Sequence, residues 1–186
     1  GLSEAPKKIS IVGARKASQN GLKRATRLAR ELTKEGYVIV SGLAQGIDTA
    51  AMSSTLDNYG HLIGVVGTPI NQYYPSNNKP LQDEISKNHL LVSHIPFYKY
   101  SYQSFDTKKF YFPQRNTVMA AISNATVIVE ASDTSGSLTQ ARKCLEMGRK
   151  LFILDSCFDS KIKWPHTFEK RGAIRVKRTK DILDNL

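Results

Sequence analysis

Two cysteines in 186 residues are too few for a disulfide framework. Cys144 falls in a helical pattern and Cys157 in a loop, with no ligand spacing between them, which suits a reducing cytoplasm. His61, His89 and His94 share no metal spacing, so no metal centre and no cofactor are expected. No apolar run approaches the roughly 18 to 20 residues that cross a bilayer, and the opening GLSEAPKK lacks the apolar core of a signal peptide. There is no linker rich in Gly, Ser or Pro, no repeat and no low-complexity tract. One domain over residues 8–186 behind a short tail, residues 1–7, is therefore expected.

Acidic charge is scarce as well. Against 27 Lys and Arg stand only 16 Asp and Glu, a net charge of +11. Such a surplus favours a polyanionic partner, because each phosphate neutralised by Lys or Arg releases condensed counterions. No stretch joins a basic face to an exposed aromatic and leucine face, so a membrane surface is not the expected partner.

What is present is a run of strand, turn, helix and strand. The clearest unit is Ala125 to Leu154: an apolar strand around Val127–Val129, a Ser/Gly turn from Ser132 to Ser137, a helix from Leu138 to Met147 stopped by Gly148, and a strand from Leu151 to Leu154. We read this strand as the centre of the sheet. Turns at the carboxyl ends of such strands bind ligands, and free N–H groups near Gly136 and Ser137 suit a phosphate. Upstream, KISIVG reads as a strand, Ser18 as the cap of a helix from Gln19 to Glu35, and Gly36 as its stop. Arg15 lies in the intervening turn, where a side chain can enter the ligand crevice. Tyr37–Val40 is a second strand, running into the Gly-rich turn Ser41–Asp48, in which Asp48 is either a cap or a functional residue. The turn is neither G-x-G-x-x-G nor a P-loop. Further strands are expected at His61–Gly67, Leu90–Ile95 (buried) and Ala173–Val176, and helices at Thr49–Asn58, Leu81–Lys87, Thr117–Ser123 and Thr167–Arg171, with a terminal helix begun by Thr179 and Asp181.

Between Pro96 and Pro113 the periodicity breaks down. Phe97, Tyr98, Tyr100, Tyr102, Phe105, Phe110, Tyr111 and Phe112 alternate there with Lys99, Lys108 and Lys109. Aromatics beside lysines are what base stacking along a basic groove requires, although such rings also tuck a long loop onto a core. No Ser/His/Asp set or paired carboxylate is recognisable, and Ser135 and Ser137 read as helix-capping residues.

Several of these stretches together resemble one family, the DNA-processing protein A (DprA/Smf) family. Gly13–Ser18 meets its G-S-R-x-x-S pattern with Ala14 at the second place, and Ser41–Asp48 meets S-G-x-A-x-G-I-D in full. Gly67–Pro75 meets G-T-x-x-x-x-Y-P with one extra residue or a shifted tyrosine, Phe112–Asn116 meets F-P-x-R-N, and Ser135–Leu138 meets S-G-S-L. The resemblance implies an α/β fold, a single extended Rossmann-like domain with a mostly parallel sheet and helices on both faces. It also implies a cytoplasmic, non-enzymatic protein that binds single-stranded DNA, forms a homodimer and helps load a RecA-type recombinase during DNA uptake or recombination. The DNA-contacting positions it implies are Arg15, Ser18, Ser41, Gly42, Gln45, Phe112, Arg115, Asn116, Gly136 and Ser137, with Lys108 and Lys109 as accessory contacts. Gln45 and Thr117 stand where the family commonly has Arg, and Gln140 where it commonly has Thr, which points to weaker DNA binding or another phosphorylated ligand. The alternative readings are a nucleotide-sensing domain, or a hydrolase like the related LOG-type enzymes that cleave nucleoside monophosphates. The carboxylate of the LOG turn is missing here, and only Glu130 and Asp133 lie close enough in sequence to replace it.

Overall fold

The computed structural model describes residues 5–159 and 161–186. Of the expected tail, residues 1–4 lie outside the described residues, and Ala5 to Lys7 are exposed and irregular. Seven strands follow: β1 (Lys8–Val12), β2 (Val38–Ser41), β3 (Leu62–Val66), β4 (Leu90–Ser93), β5 (Ala125–Ile128), β6 (Lys150–Leu154) and β7 (Ile174–Val176). All of them pair in parallel, in the order β4-β3-β2-β1-β5-β6-β7. The centre belongs to β1, with β5 beside it, which corrects the sequence-based reading. Ile9 pairs with Ile39 of β2 on one side and with Ala125 of β5 on the other.

The inner strands read as apolar runs because both faces of a parallel sheet are covered. Ile9, Ile11, Val127, Ile128 and Phe152 are all fully buried. The polar exceptions are satisfied, as where Ser10 Oγ and Ser123 Oγ lie 2.7 Å apart. Contrary to expectation, β4 is a partly exposed edge strand, with Leu90 53% exposed. Its apolar run resembles that of an inner strand, and sequence alone does not reveal that it has one neighbour only.

The helices are α1 (Gln19–Lys34), α2 (Ile47–Asp57), α3 (Lys79–Asn88), α4 (Phe97–Ser101), α5 (Phe105–Lys109), α6 (Tyr111–Ile122), α7 (Ser137–Glu146), α8 (Trp164–Lys170) and α9 (Thr179–Leu183). Among the described residues none is long and apolar enough to cross a membrane. The strand order grows one way from β1 to β4 and the other way from β5 to β7. Since parallel crossovers are right-handed, the crossover helices on the two sides of β1 cover opposite faces, with α1 packed on α2 and α6 on α7, while the terminal α9 returns to pack on α1.

The aromatic segment is not a loop throughout. It forms α4, α5 and the first turn of α6, each too short to display a period. Ser104 Oγ caps α5 by accepting the Thr107 N–H. Helix α6 starts at Tyr111 rather than Thr117, because Pro113 sits in its first turn, where a missing N–H costs no intrahelical bond.

Candidate nucleic-acid interface

The growth direction of the sheet reverses between β1 and β5, and a parallel sheet leaves a crevice at the carboxyl ends of the strands at such a point. Here the crevice is a cleft of about 660 Å³. Its walls are the β1–α1 turn with Arg15, the inner face of α6 with Arg115 and Asn116, and the β5–α7 turn from Glu130 to Ser137.

Arg115 is 5% exposed and organises one wall. Its Nη1 donates to the carbonyls of Gly42 at 2.5 Å and Val65 at 3.1 Å, and its Nε donates to Asn116 Oδ1 at 2.9 Å. Nη2 has no acceptor among the described residues, which leaves two charged donors for a ligand. Burial, helped by the nearby Arg15, pushes the Arg115 pKa down to about 10 against the pull of Asp48, so the group stays charged at neutral pH. Asp48 is itself buried and accepts the Gly42 N–H at 2.9 Å. Burial raises its carboxyl above the usual range, while Arg115 and the hydrogen bonds oppose the shift.

Two glycines make this packing possible. A Cβ on Gly42 would lie 2.5 Å from Arg115 Nη1 and 2.9 Å from Asp48 Oδ2. Gly46 has a φ of +79°, and a Cβ there would lie 2.4 Å from the Ala14 carbonyl oxygen. The Gly-rich turn thus packs against the β1–α1 turn, held by the Ile47 N–H donating to Ala14 O at 3.2 Å.

On the rim, Phe112 collects Arg15 and Tyr74, both distant in sequence, and Arg115 from one turn further along α6. The guanidinium carbons of Arg15 and Arg115 lie 5.6 and 5.7 Å from its ring centroid, and the Tyr74 ring lies 5.2 Å away at 54°. Gln45 is exposed and lines a small adjoining hollow with these residues. Across the cleft, Asn116 Nδ2 donates to Gly136 O at 3.0 Å and so ties α6 to the start of α7. The N–H groups of Gly136 and Ser137 have no acceptor among the described residues. They face a cleft of the sort that holds phosphate oxygens.

Other expected contacts are engaged within the protein. Ser41 is fully buried and donates to Ile11 O at 2.8 Å. Ser18 Oγ donates to Glu130 Oε2 at 2.6 Å and accepts the Gly21 N–H at 3.0 Å. Its own N–H donates to Glu130 Oε1 at 2.7 Å. The Ser137 hydroxyl lies 2.7 Å from that of Ser135. Lys108 and Lys109 lie outside the cleft, over the rings of Tyr100 at 4.5 Å and Phe105 at 4.7 Å. Glu130 and Asp133, the carboxylates closest to the α7 turn, are both occupied: Glu130 holds Ser18, and Asp133 accepts the N–H groups of Lys163 at 3.2 Å and Trp164 at 3.0 Å. Gln140 lies buried at the back of the cleft and donates to Thr126 Oγ1 at 3.2 Å. Sequence reasoning does not single out Tyr74. Its only signal is its place beside Pro75 in a motif with one extra residue.

A family model described as DNA recombination-mediator protein A matches residues 2–186. The DNA processing protein DprA of Streptococcus pneumoniae is 38% identical over 177 residues, which cover 95% of this chain and 60% of that protein. The X-ray structure of the Streptococcus pneumoniae protein superposes with a TM-score of 0.84 at 36% identity, over 96% of this chain and 61% of that one. A Helicobacter pylori DNA processing protein A, whose structure was described for its single-stranded DNA binding mode, superposes with a TM-score of 0.81 at 29% identity, over 97% of this chain and 80% of that one. The chain thus spans about 60% of the length of its pneumococcal relative.

Proposed function

The chain belongs to the DNA recombination-mediator protein A family, and on that premise we propose that it binds single-stranded DNA in the cleft between the β1–α1 turn, α6 and the β5–α7 turn. The observation that carries this reading is Phe112, a half-buried ring on the rim with the guanidinium carbons of Arg15 and Arg115 5.6 and 5.7 Å from its centroid. A base stacks on the ring, the arginines take the flanking phosphates, and the N–H groups of Gly136 and Ser137 take a third. Ser18, Ser41 and Asn116 serve by holding the turns, since their side chains are already bonded within the protein. Gln45 adds a neutral rim contact, and Lys108 and Lys109 act only at long range. The activity is binding, with no catalytic step. In the mediator role, the strand held here is handed to a RecA-type recombinase, and a second copy of the chain completes the working unit.

Arg15 is exposed and makes no hydrogen bond among the described residues, so Arg15→Ala tests the site without loosening the fold. By fluorescence anisotropy, labelled oligo-dT of about 20 nucleotides is expected to bind more tightly than the matching duplex. Arg15→Ala and Phe112→Leu should each weaken it about tenfold, in keeping with roughly 1–3 kcal/mol per stacked base or charged contact. No binding at low salt, or binding indifferent to both substitutions, overturns the reading.

A further inference from the structure

A second hollow, of about 280 Å³, opens farther along the carboxyl edge of the sheet. Arg24 and Arg27 of α1 form one side of it, and Lys177 and Arg178, directly after β7, form the other. Ser156, just after β6, belongs to the walls of both hollows and is exposed, so the two lie side by side at that residue.

The charge here is unbalanced. Asp155, the carboxylate in the lining, is held by Arg175 at 2.5 Å. Arg178 shares Asp181 at 3.3 Å. The side chains of Arg24, Arg27 and Lys177 have neither a hydrogen bond nor an ion pair among the described residues. Arg24 and Arg27 stand three residues apart on one helix face, where like charges repel. A hollow with this much uncompensated positive charge, and no aromatic ring in its lining, suits a phosphodiester backbone rather than bases.

We propose that this hollow continues the DNA path: a strand anchored on Phe112 leaves the first cleft past Ser156 and lays its next phosphates against Arg24, Arg27 and Lys177. The proposal rests on the single-stranded DNA reading of the first cleft. From the end of β3, where the Phe112 ring lies against Gly67, to β7 is five strand spacings, about 24 Å. That corresponds to roughly seven nucleotides at the ~3.4 Å rise of a stacked strand. Binding at the second hollow is independent of sequence, and only strands long enough to reach it make use of it.

Strand length therefore provides the test. Oligo-dT of about 5 and about 20 nucleotides is titrated against the wild-type chain and against Arg24→Ala/Arg27→Ala/Lys177→Ala, with thermal melting as the check of fold. The short strand is expected to bind both proteins within about twofold, while the long strand binds the variant about tenfold more weakly, with a salt slope shallower by about 2, at ~0.7 for each phosphate no longer neutralised. An Arg24→Lys/Arg27→Lys variant should keep the wild-type slope, and a loss there as large as in the alanine variant overturns the assignment to charge. Equal losses at both lengths, or no loss at the longer one, overturn the extended path and leave the first cleft standing. Wild-type protein that binds neither length overturns both.

Discussion

Arg115 and Asp48 both line the cleft, and the titration of each is shifted chiefly by burial. The sign of the Asp48 shift has a measurable consequence. An acid whose pKa is raised on folding keeps its proton longer in the folded state, so the folded protein binds more protons between the ordinary value of 3.8 and the raised one. The stability this group contributes is complete below the ordinary value and is lost as pH rises through the folded value. Asp48→Asn removes the titration but retains an oxygen that can accept the Gly42 N–H. In urea unfolding, the stability of the variant relative to wild type should rise as pH climbs from about 4 and then level off. A difference that does not change with pH contradicts the assignment. At this scale the sequence identified Arg15, Phe112 and Arg115 by motif, and the structure brings them together. The proximity of Tyr74 was not legible, because it depends on where a long loop returns to the rim.

The helix starts hold the turns of the site in place. Ser18 illustrates this, since its hydroxyl caps α1 and at the same time fastens the β1–α1 turn to Glu130, just beyond the carboxyl end of β5. Ser18→Ala removes both bonds. It should cost about 1–2 kcal/mol in urea unfolding, a cap plus one charged hydrogen bond partly replaced by water. Glu130→Gln, whose amide oxygen can still accept the Ser18 N–H and whose NH2 can donate to the Ser18 hydroxyl, should cost less. Equal stability of Ser18→Ala and wild type would show that the cap contributes nothing. The cap itself was legible, because Ser before an amphipathic run is a local signal. Helices α4 and α5 were not, because one turn of helix has no periodicity to detect, and their rings are largely exposed: Tyr98, Tyr102 and Phe105 each show three quarters or more of their surface.

Across the molecule as a whole, stability comes from one buried sheet and no cross-links. Both cysteines are free and buried. Burial pushes the Cys157 thiol up to about 12 and also raises that of Cys144. Neither thiol is expected to react with Ellman's reagent within minutes at about pH 8 in the native protein, and both should react once urea is added. The melting temperature should be the same with and without a reductant. Rapid reaction of the native protein would show that the packing around β5, α7 and the β6 end opens readily.

The amino-acid sequence by itself determined the alternation of strand and helix, the caps and stops of the long helices, and the Gly-rich turns at the strand ends. Those features arise from periodicity, capping and backbone freedom, which act over a few neighbouring residues. Tertiary structure alone decided that β1 lies at the centre, that β4 is an edge, and that Arg115 reaches across 73 residues to Gly42 and 50 to Val65. It likewise decided that Ser156 lies in the walls of both hollows. Contacts of that span are set by the order and handedness of the crossovers, which no local run of residues encodes.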